Sequence, residues 1–506
     1  MEIEGWPPDP ILLLDIDGLR PDVFLAALES GNLPHIAPLL GGQGMERGSQ
    51  IPVLAPAPSI TFCSQACLFT GSHPREHGIP GSQFFDRFGT TSEGEPRHYA
   101  FDVGDTLAVD DAVRVFTHGL ASERLHVPTF YERMAKRGRG FVVAGNMYAQ
   151  GATTWLPPSV LKLGRLTKGG RLFGLDPQDY DRHVLDKLLE HLEAEGLPEG
   201  HGLTMYFLGL DHHSHKYSPH AQHDYLVKHV DPMVGELWRA IRAAAPSRAP
   251  FVVLFSDHGQ IAVPDEDRYG LHLGFPFDRE MGHFFDALGL DVHDYPGEDP
   301  DCDAVLTLNG GLADVYLHNQ TGRWSDPPDF DQDVLPVGRA FWDAHHTGKL
   351  APEMRGALAG VLLRNVERDG WEGCYEALTP SGEVVSLEEW FAKQPADLYV
   401  DPVNRLNNLA GTFSGDLLLI SNYADGYYFG DNLCGIHGGL HPDDSCATLV
   451  YAWPDSSQAG WTEVRHSIRA AIDTRCRTEG DRYPSTTDML TGLEAALSLF
   501  GDTTVP

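Results

Sequence analysis

Positive charge is scarce in this chain of 506 residues: 37 lysines and arginines stand against 72 aspartates and glutamates, a net charge of −35. A field of that sign repels DNA, RNA and anionic lipid surfaces. No nucleic acid polymer and no membrane is therefore expected as a partner, and a small anionic substrate needs a local source of positive charge. Cysteine is scarce as well. Seven of them, an odd number at irregular spacing, do not make a disulfide framework. No uncharged apolar run approaches 18 residues, which argues against a membrane-spanning helix. The opening MEIEGWPPDP has neither the charged nor the long apolar segment of a signal peptide, so a cytoplasmic location is the expectation. Internal repeats and low-complexity linkers are lacking too, while 42% hydrophobic and 10% aromatic residues exclude a disordered chain.

What is present is a recurring design. ILLLDIDG (11–18), LTMYFLGLDHHSH (203–215) and FVVLFSDHG (251–259) each read as a buried strand that breaks directly into Asp, His or Gly. Continuous rather than alternating apolar residues predict strands covered on both faces, as in a mainly parallel α/β sheet. In such sheets ligands sit beyond the carboxyl ends of the strands. Helices fit between these runs. Val23, Phe24, Ala27 and Leu28 follow helical spacing up to a stop at Gly31. Leu226, Val230, Met233, Leu237 and Ile241 predict an amphipathic helix bent or restarted at Asp231-Pro232. TTDMLTGLEAALSLFG (486–501) predicts a closing helix. Residues 91–200 and 263–430, the latter mixing turns such as LNGG with strand candidates such as ADVYLHN, read as insertions or cap regions on a single catalytic domain spanning 1–506.

The strand ends bring together Asp17, Asp211, His215, Asp257 and His258. Carboxylates mixed with imidazoles are a ligand set for zinc, or for manganese or iron. Five residues are too many for one ion with an open position. They suffice for two ions of three protein ligands each if one more histidine joins, and GIHG supplies His437 in a glycine turn. Two dications form the clamp that handles in-line displacement at phosphorus, and they also supply the positive charge this chain lacks. In SITFCSQACLFTG (59–71), a helix over FCSQACLF places Thr61 at its N-terminus, where free N–H groups favour a phosphate. Cys63 and Cys67, four apart and without a second pair at knuckle spacing, read as small buried apolar residues. A thiol enzyme built on Cys63 would need a nearby base that the sequence does not point to.

The blocks DIDGLRPD, TFCSQACLFTGSHPREHGI, GLDHHSHKYSP, FSDHG and GIHG, in this order, resemble the alkaline phosphatase superfamily, and within it the type I phosphodiesterase/nucleotide pyrophosphatase group. The resemblance implies an alkaline phosphatase-like α/β fold, with a central mainly parallel sheet flanked by helices and insertions forming a cap. It implies that Asp17, Thr61, Asp257 and His258 hold one divalent ion, and that Asp211, His215 and His437 hold the other. It further implies that Thr61 attacks phosphorus to form a phosphothreonine, which water hydrolyses. Ser64, with Gln65 beside it, stands where diesterases of this group carry an asparagine that donates to a phosphate oxygen. Lys216 and Tyr217 are further candidates for substrate contact. TFCSQ lacks the Cys/Ser-x-Pro-x-Arg pattern of sulfatases.

The expected activity is hydrolysis of a small phosphodiester or nucleotide pyrophosphate. A phosphomonoester or a phosphonate would use the same core. An inactive homologue that holds metal and anion without turnover is the non-enzymatic alternative, and it would be favoured by a lost nucleophile or a broken ligand set. All seven positions carry competent residue types.

Overall fold

In the computed structural model, which describes residues 9–90, 94–102, 109–159, 176–272, 280–293, 297–298, 301–430 and 433–500, the three apolar runs are adjacent parallel strands. The central sheet contains β1 (Ile11–Ile16), β2 (Gly48–Gln50), β3 (Phe141–Ala144), β4 (Thr154–Leu156), β5 (Gly202–Phe207), β6 (Phe251–Phe255) and β7 (Leu449–Ala452). Its seven strands run in the order β2-β7-β6-β1-β5-β3-β4. The run from β6 to β4 is parallel, and β7 pairs antiparallel with both β6 and β2. β1 lies near the middle, with Leu13 between Thr204 and Val253, and every residue of β1, β5 and β6 is buried. The continuous apolar runs are explained by this: strands covered on both faces have no solvent side to keep polar.

Helices flank the sheet. α1 (Pro21–Glu29) follows β1, starting at a proline that has no N–H to leave unpaired. α2 (Thr61–Thr70) ends at Gly71, whose φ of 68° is the left-handed conformation that stops a helix. α3 (Pro177–Glu195) packs on β5 and against α4 (Gly209–Tyr217) and α5 (Asp231–Ala244). Immediately before Asp231-Pro232 the chain makes a π-turn over Leu226–Val230, the irregularity predicted there, since a proline inside a helix cannot donate to the preceding turn. α6 (Gln458–Glu479) and α7 (Asp488–Ser498) close the fold and pack on each other. Among the described residues no helix is long and apolar enough to cross a membrane.

The reading of 91–200 as an insertion differs from what is seen. This stretch supplies β3 and β4 to the central sheet and α3 to its cover; only 160–175 and two short pieces of it lie outside the described residues. The short strands and the absence of an Asp or His at their ends hid them. Residues 263–430 contain a second seven-stranded sheet, mostly antiparallel, with its own apolar core, centred on the strands Leu312–Leu317, Leu417–Ser421 and Leu358–Leu363.

Candidate metal and active site

Asp17, Asp257 and His258 lie just past the ends of β1 and β6, Asp211 and His215 lie on α4 after β5, and His437 follows the two-residue strand Gly435–Ile436 outside the central sheet. Asp17 extends β1 by one residue, its amide donating to the Phe207 carbonyl of β5 (3.1 Å). Gly18 then turns the chain with φ 66°. A β-carbon there would stand 2.8 Å from Asp211 Oδ1, so a glycine is what lets the ends of β1 and β5 approach.

The first group is Asp17, Asp257 and His258, all buried, with ligating atoms within 4.8 Å of one another. His258 Nε2 lies 3.5 Å from Asp17 Oδ1 and 3.3 Å from Asp257 Oδ2. Those two carboxylate oxygens have no hydrogen-bond partner. Their companions do: Tyr206 donates to Asp17 Oδ2, and the amides of Gly18 (3.2 Å) and His258 (3.0 Å) donate to Asp257 Oδ1. His258 commits its Nδ1 proton to the Gly259 carbonyl (2.8 Å), which leaves the Nε2 lone pair facing the carboxylates. Thr61, half-buried at the first position of α2, sets its hydroxyl 3.2 Å from the same Nε2. Ile60, the residue before it, provides no side-chain cap, so the N–H groups of the first turn are open to a ligand.

Asp211, His215 and His437 form the second group, again within 4.8 Å. The Asp-x-x-x-His spacing lies on α4, where residues four apart share a face. His215 Nε2 is 3.0 Å from Asp211 Oδ2; His437 Nε2 is 3.7 Å from Asp211 Oδ1 and 3.2 Å from His215 Nε2. His215 donates through Nδ1 to Gly435 (2.7 Å), and His437 donates through Nδ1 to Ser59 (2.9 Å). Both Nε2 atoms therefore point to one place beside a carboxylate, an arrangement that a cation satisfies. The groups adjoin, since the His258 and His437 rings stack at 3.7 Å and 17°.

Electrostatics point the same way. Burial, then the carboxylates of Asp257 and Asp211, push Asp17 well above the ordinary carboxylate range. Burial opposes charge on His215, but Asp211 overrides it and lifts the imidazole to about 9. His437 is pushed well down by burial and by His258. Unpaired buried carboxylate oxygens, converging imidazole Nε2 atoms and mutually repelling acids together fit divalent cations, which would displace the proton that Asp211 draws onto His215.

The remaining expectations sort differently. Ser64 is fully buried one turn past Thr61, and its hydroxyl has no partner. Gln65, expected beside the substrate, is turned into the core. Its amide donates to Asp15 Oδ1 (3.2 Å) and accepts from Asn146 (2.8 Å), because the buried Asp15 carboxylate of β1 needs donors. Lys216 and Tyr217 are exposed at the end of α4 and face each other at 5.0 Å, outside the buried groups. His213 packs its ring at a tilt against Tyr217 and Tyr225 rather than joining either group. His77 is buried against the Cys67 thiol (3.3 Å). Burial raises that thiol well above its ordinary value, so Cys67 is not poised as a nucleophile, and Cys63 is buried as well. His73 lies near Glu479 and Asp481, where Arg475 already pairs with both acids.

Several supporting residues escaped the sequence reading. Tyr206 holds Asp17, Gln260 donates to Asp211 (2.9 Å), Ser59 anchors His437, and Asp15 with Asn146 braces α2 through Gln65. A polar residue inside a strand run, as Asp15 and Tyr206 are, is the one signal that marked any of them.

Comparison with known proteins follows this geometry. Among solved structures, murine ectonucleotide pyrophosphatase/phosphodiesterase 5, in an inactive form in complex with AMP, is 14% identical with a TM-score of 0.54, the match covering 99% of this chain and 96% of that one. Phosphonoacetate hydrolase from Sinorhizobium meliloti 1021, in complex with phosphonoacetate, is 16% identical with a TM-score of 0.50, covering 97% and 96%. At such identities the likeness is one of fold. No curated protein matches the sequence. The family profile for type I phosphodiesterase / nucleotide pyrophosphatase matches residues 11–339, a span that contains Asp17, Thr61, Asp211, His215, Asp257 and His258. The chain belongs to the type I phosphodiesterase / nucleotide pyrophosphatase family, a family of hydrolases acting on phosphoester bonds.

Proposed function

We propose that the chain hydrolyses a small phosphodiester or nucleotide pyrophosphate through Thr61. Asp17, Thr61, Asp257 and His258 would hold one divalent cation and Asp211, His215 and His437 a second, with zinc the first choice and manganese or iron the alternatives. The observation that carries this reading is the placement of the Thr61 hydroxyl, 3.2 Å from His258 Nε2, at an uncapped helix N-terminus beside two groups of buried ligands. Two such cations, when bound, polarise the phosphoryl group and neutralise charge on the attacking and leaving oxygens. Thr61 Oγ1 loses its proton to solvent and attacks phosphorus. A P–Oγ1 bond forms, the P–O bond to the leaving group breaks, and the departing oxygen takes a proton from water. Water then attacks the phosphothreonine and regenerates the hydroxyl. The N–H groups of the first turn of α2 and the unpartnered Ser64 hydroxyl donate to the phosphoryl oxygens. Lys216 and Tyr217, exposed at the end of α4, would meet the part of the substrate that extends outward.

The test strips the protein with chelator, restores zinc or manganese stepwise, and assays aryl phosphate monoester, diester and phosphonate substrates beside Thr61→Ala. Diesterase activity that returns at two ions per chain and is lost in the variant is expected. A preference for the monoester or the phosphonate would reassign the substrate on the same core. Two bound ions with no turnover on any ester would favour the non-enzymatic reading.

A further inference from the structure

Where the second sheet meets the second ligand group, two glycine turns lie backbone on backbone. The strands Ala304–Asn309 and Leu312–Leu317 are joined by Gly310-Gly311, a two-residue hairpin with Gly310 at φ 69°. This hairpin presses on the segment that follows His437. The Gly311 amide donates to the His437 carbonyl (3.2 Å). A β-carbon on Gly310 would overlap that same carbonyl oxygen, and one on Gly438 (φ 100°) would overlap the carbonyl of Asn309. The turn is held from behind. Phe429 N donates to the Gly310 carbonyl (2.7 Å), Ser421 N to the Gly311 carbonyl (3.0 Å), and the Asn309 side chain brackets the backbone of Gln83 from both its oxygen and its nitrogen, each at 3.1 Å. On its other side His437 is held by Ser59 and by the His258 ring.

We infer that the Asn309–Gly311 hairpin is a positioning element for His437, so that filling of the Asp211–His215–His437 group is coupled to the packing of the second sheet. The inference rests on the reading of His437 as a metal ligand. Coupling of this kind is reciprocal: what fixes the backbone of a ligand favours the ion, and the ion in turn holds the turn in place.

The experiment is zinc titration of the full chain, after chelation, by calorimetry with metal counting, on wild type and Gly310→Ala. Expected is one ion bound by the variant as by wild type and the other bound roughly 10–100-fold more weakly. Two ions at wild-type affinity, or equal weakening of both, would overturn the inference. Should Gly310→Ala not fold, hydrogen exchange decides. Zinc is expected to slow exchange over residues 309–312 in wild type but not in His437→Ala, and an equal response in the two proteins would overturn the inference. Fewer than two zinc ions on wild type would instead overturn the two-cation reading on which it rests.

Discussion

At Thr61 a hydroxyl stands within reach of His258 and at the head of α2, so its replacement removes the proposed nucleophile together with one proposed ligand of the first cation. Thr61→Ala is expected to keep both ligand groups' carboxylates and imidazoles and to lower kcat by about 10³-fold or more, while Thr61→Ser keeps measurable turnover. Steady-state kinetics with metal counting checks this. An alanine variant within tenfold of wild type would remove Thr61 from the reaction. Two neighbouring residues set a pH dependence. Asp17 is held up by burial and then by Asp257 and Asp211, and His215 by Asp211 against the cost of burial. Each binds its proton more tightly in the folded chain than in the unfolded one. The His215 contribution is full below its ordinary value of 6.5 and is lost as pH rises through about 9, and ionised Asp17 acts in the same direction. Asp211 is shifted the opposite way, but below 3.8, outside this window. Chelated protein is therefore expected to lose melting temperature between pH 6.5 and about 9, with less loss when zinc is bound. A flat profile in chelator would contradict the pairing of His215 with Asp211.

At the scale of elements, α4 carries two of the candidate ligands and is fastened at its head by Asp181 of α3. Its carboxylate accepts from Gly209 N (2.9 Å) and from Tyr225 (2.9 Å). Asp181→Ala leaves a buried N–H and a buried hydroxyl without partners and is expected to cost about 1–3 kcal/mol, read as a lower denaturant midpoint. Because α4 would lose its fixed start, zinc affinity at the second group should fall as well; an unchanged midpoint would show that water replaces the carboxylate. How legible elements were depended on what each must bury. β1, β5 and β6 announced themselves because both faces are covered and because each run ends in Asp, His or Gly. The second sheet did so only in part: ADVYLHN marked the strand Leu312–Leu317, whereas pieces such as Glu376–Leu378 and Val384–Val385 are too short to show a period. α6 could have been found: its buried Trp461, Val464, Ile468 and Ile472 step by 3, 4 and 4. The roles of Asn146 and Gln65 could not, because a buried polar residue is explained only by partners that the fold brings from a distance, here Asp15 at 50 and 131 positions, and Asp15 itself was marked only by its polarity inside a strand run.

For the whole molecule, the net charge of −35 governs encounter with an anionic substrate. Added salt screens that repulsion, so kcat/KM on an anionic diester is expected to rise as ionic strength goes from about 0.01 to 0.15 M, where the screening length falls from about 30 to 8 Å. A rate that falls over the same range would mean that local positive charge, not the overall field, steers the substrate. The same scale shows the cost of drawing ligands from distant parts of the chain. His437 stands 179 positions after His258, beyond the whole second sheet whose glycine hairpin receives it. On the ribosome the chain therefore passes through two ages: every residue of the first ligand group has been made by His258, whereas the second stays incomplete for a further interval on the order of ten to a few tens of seconds. A nascent chain of that age already carries Asp211 and His215 with no third ligand, and β6 already waits for β7 to cover its edge. One late segment, from His437 to Ala452, then completes both the second group of candidate ligands and the sheet beneath it.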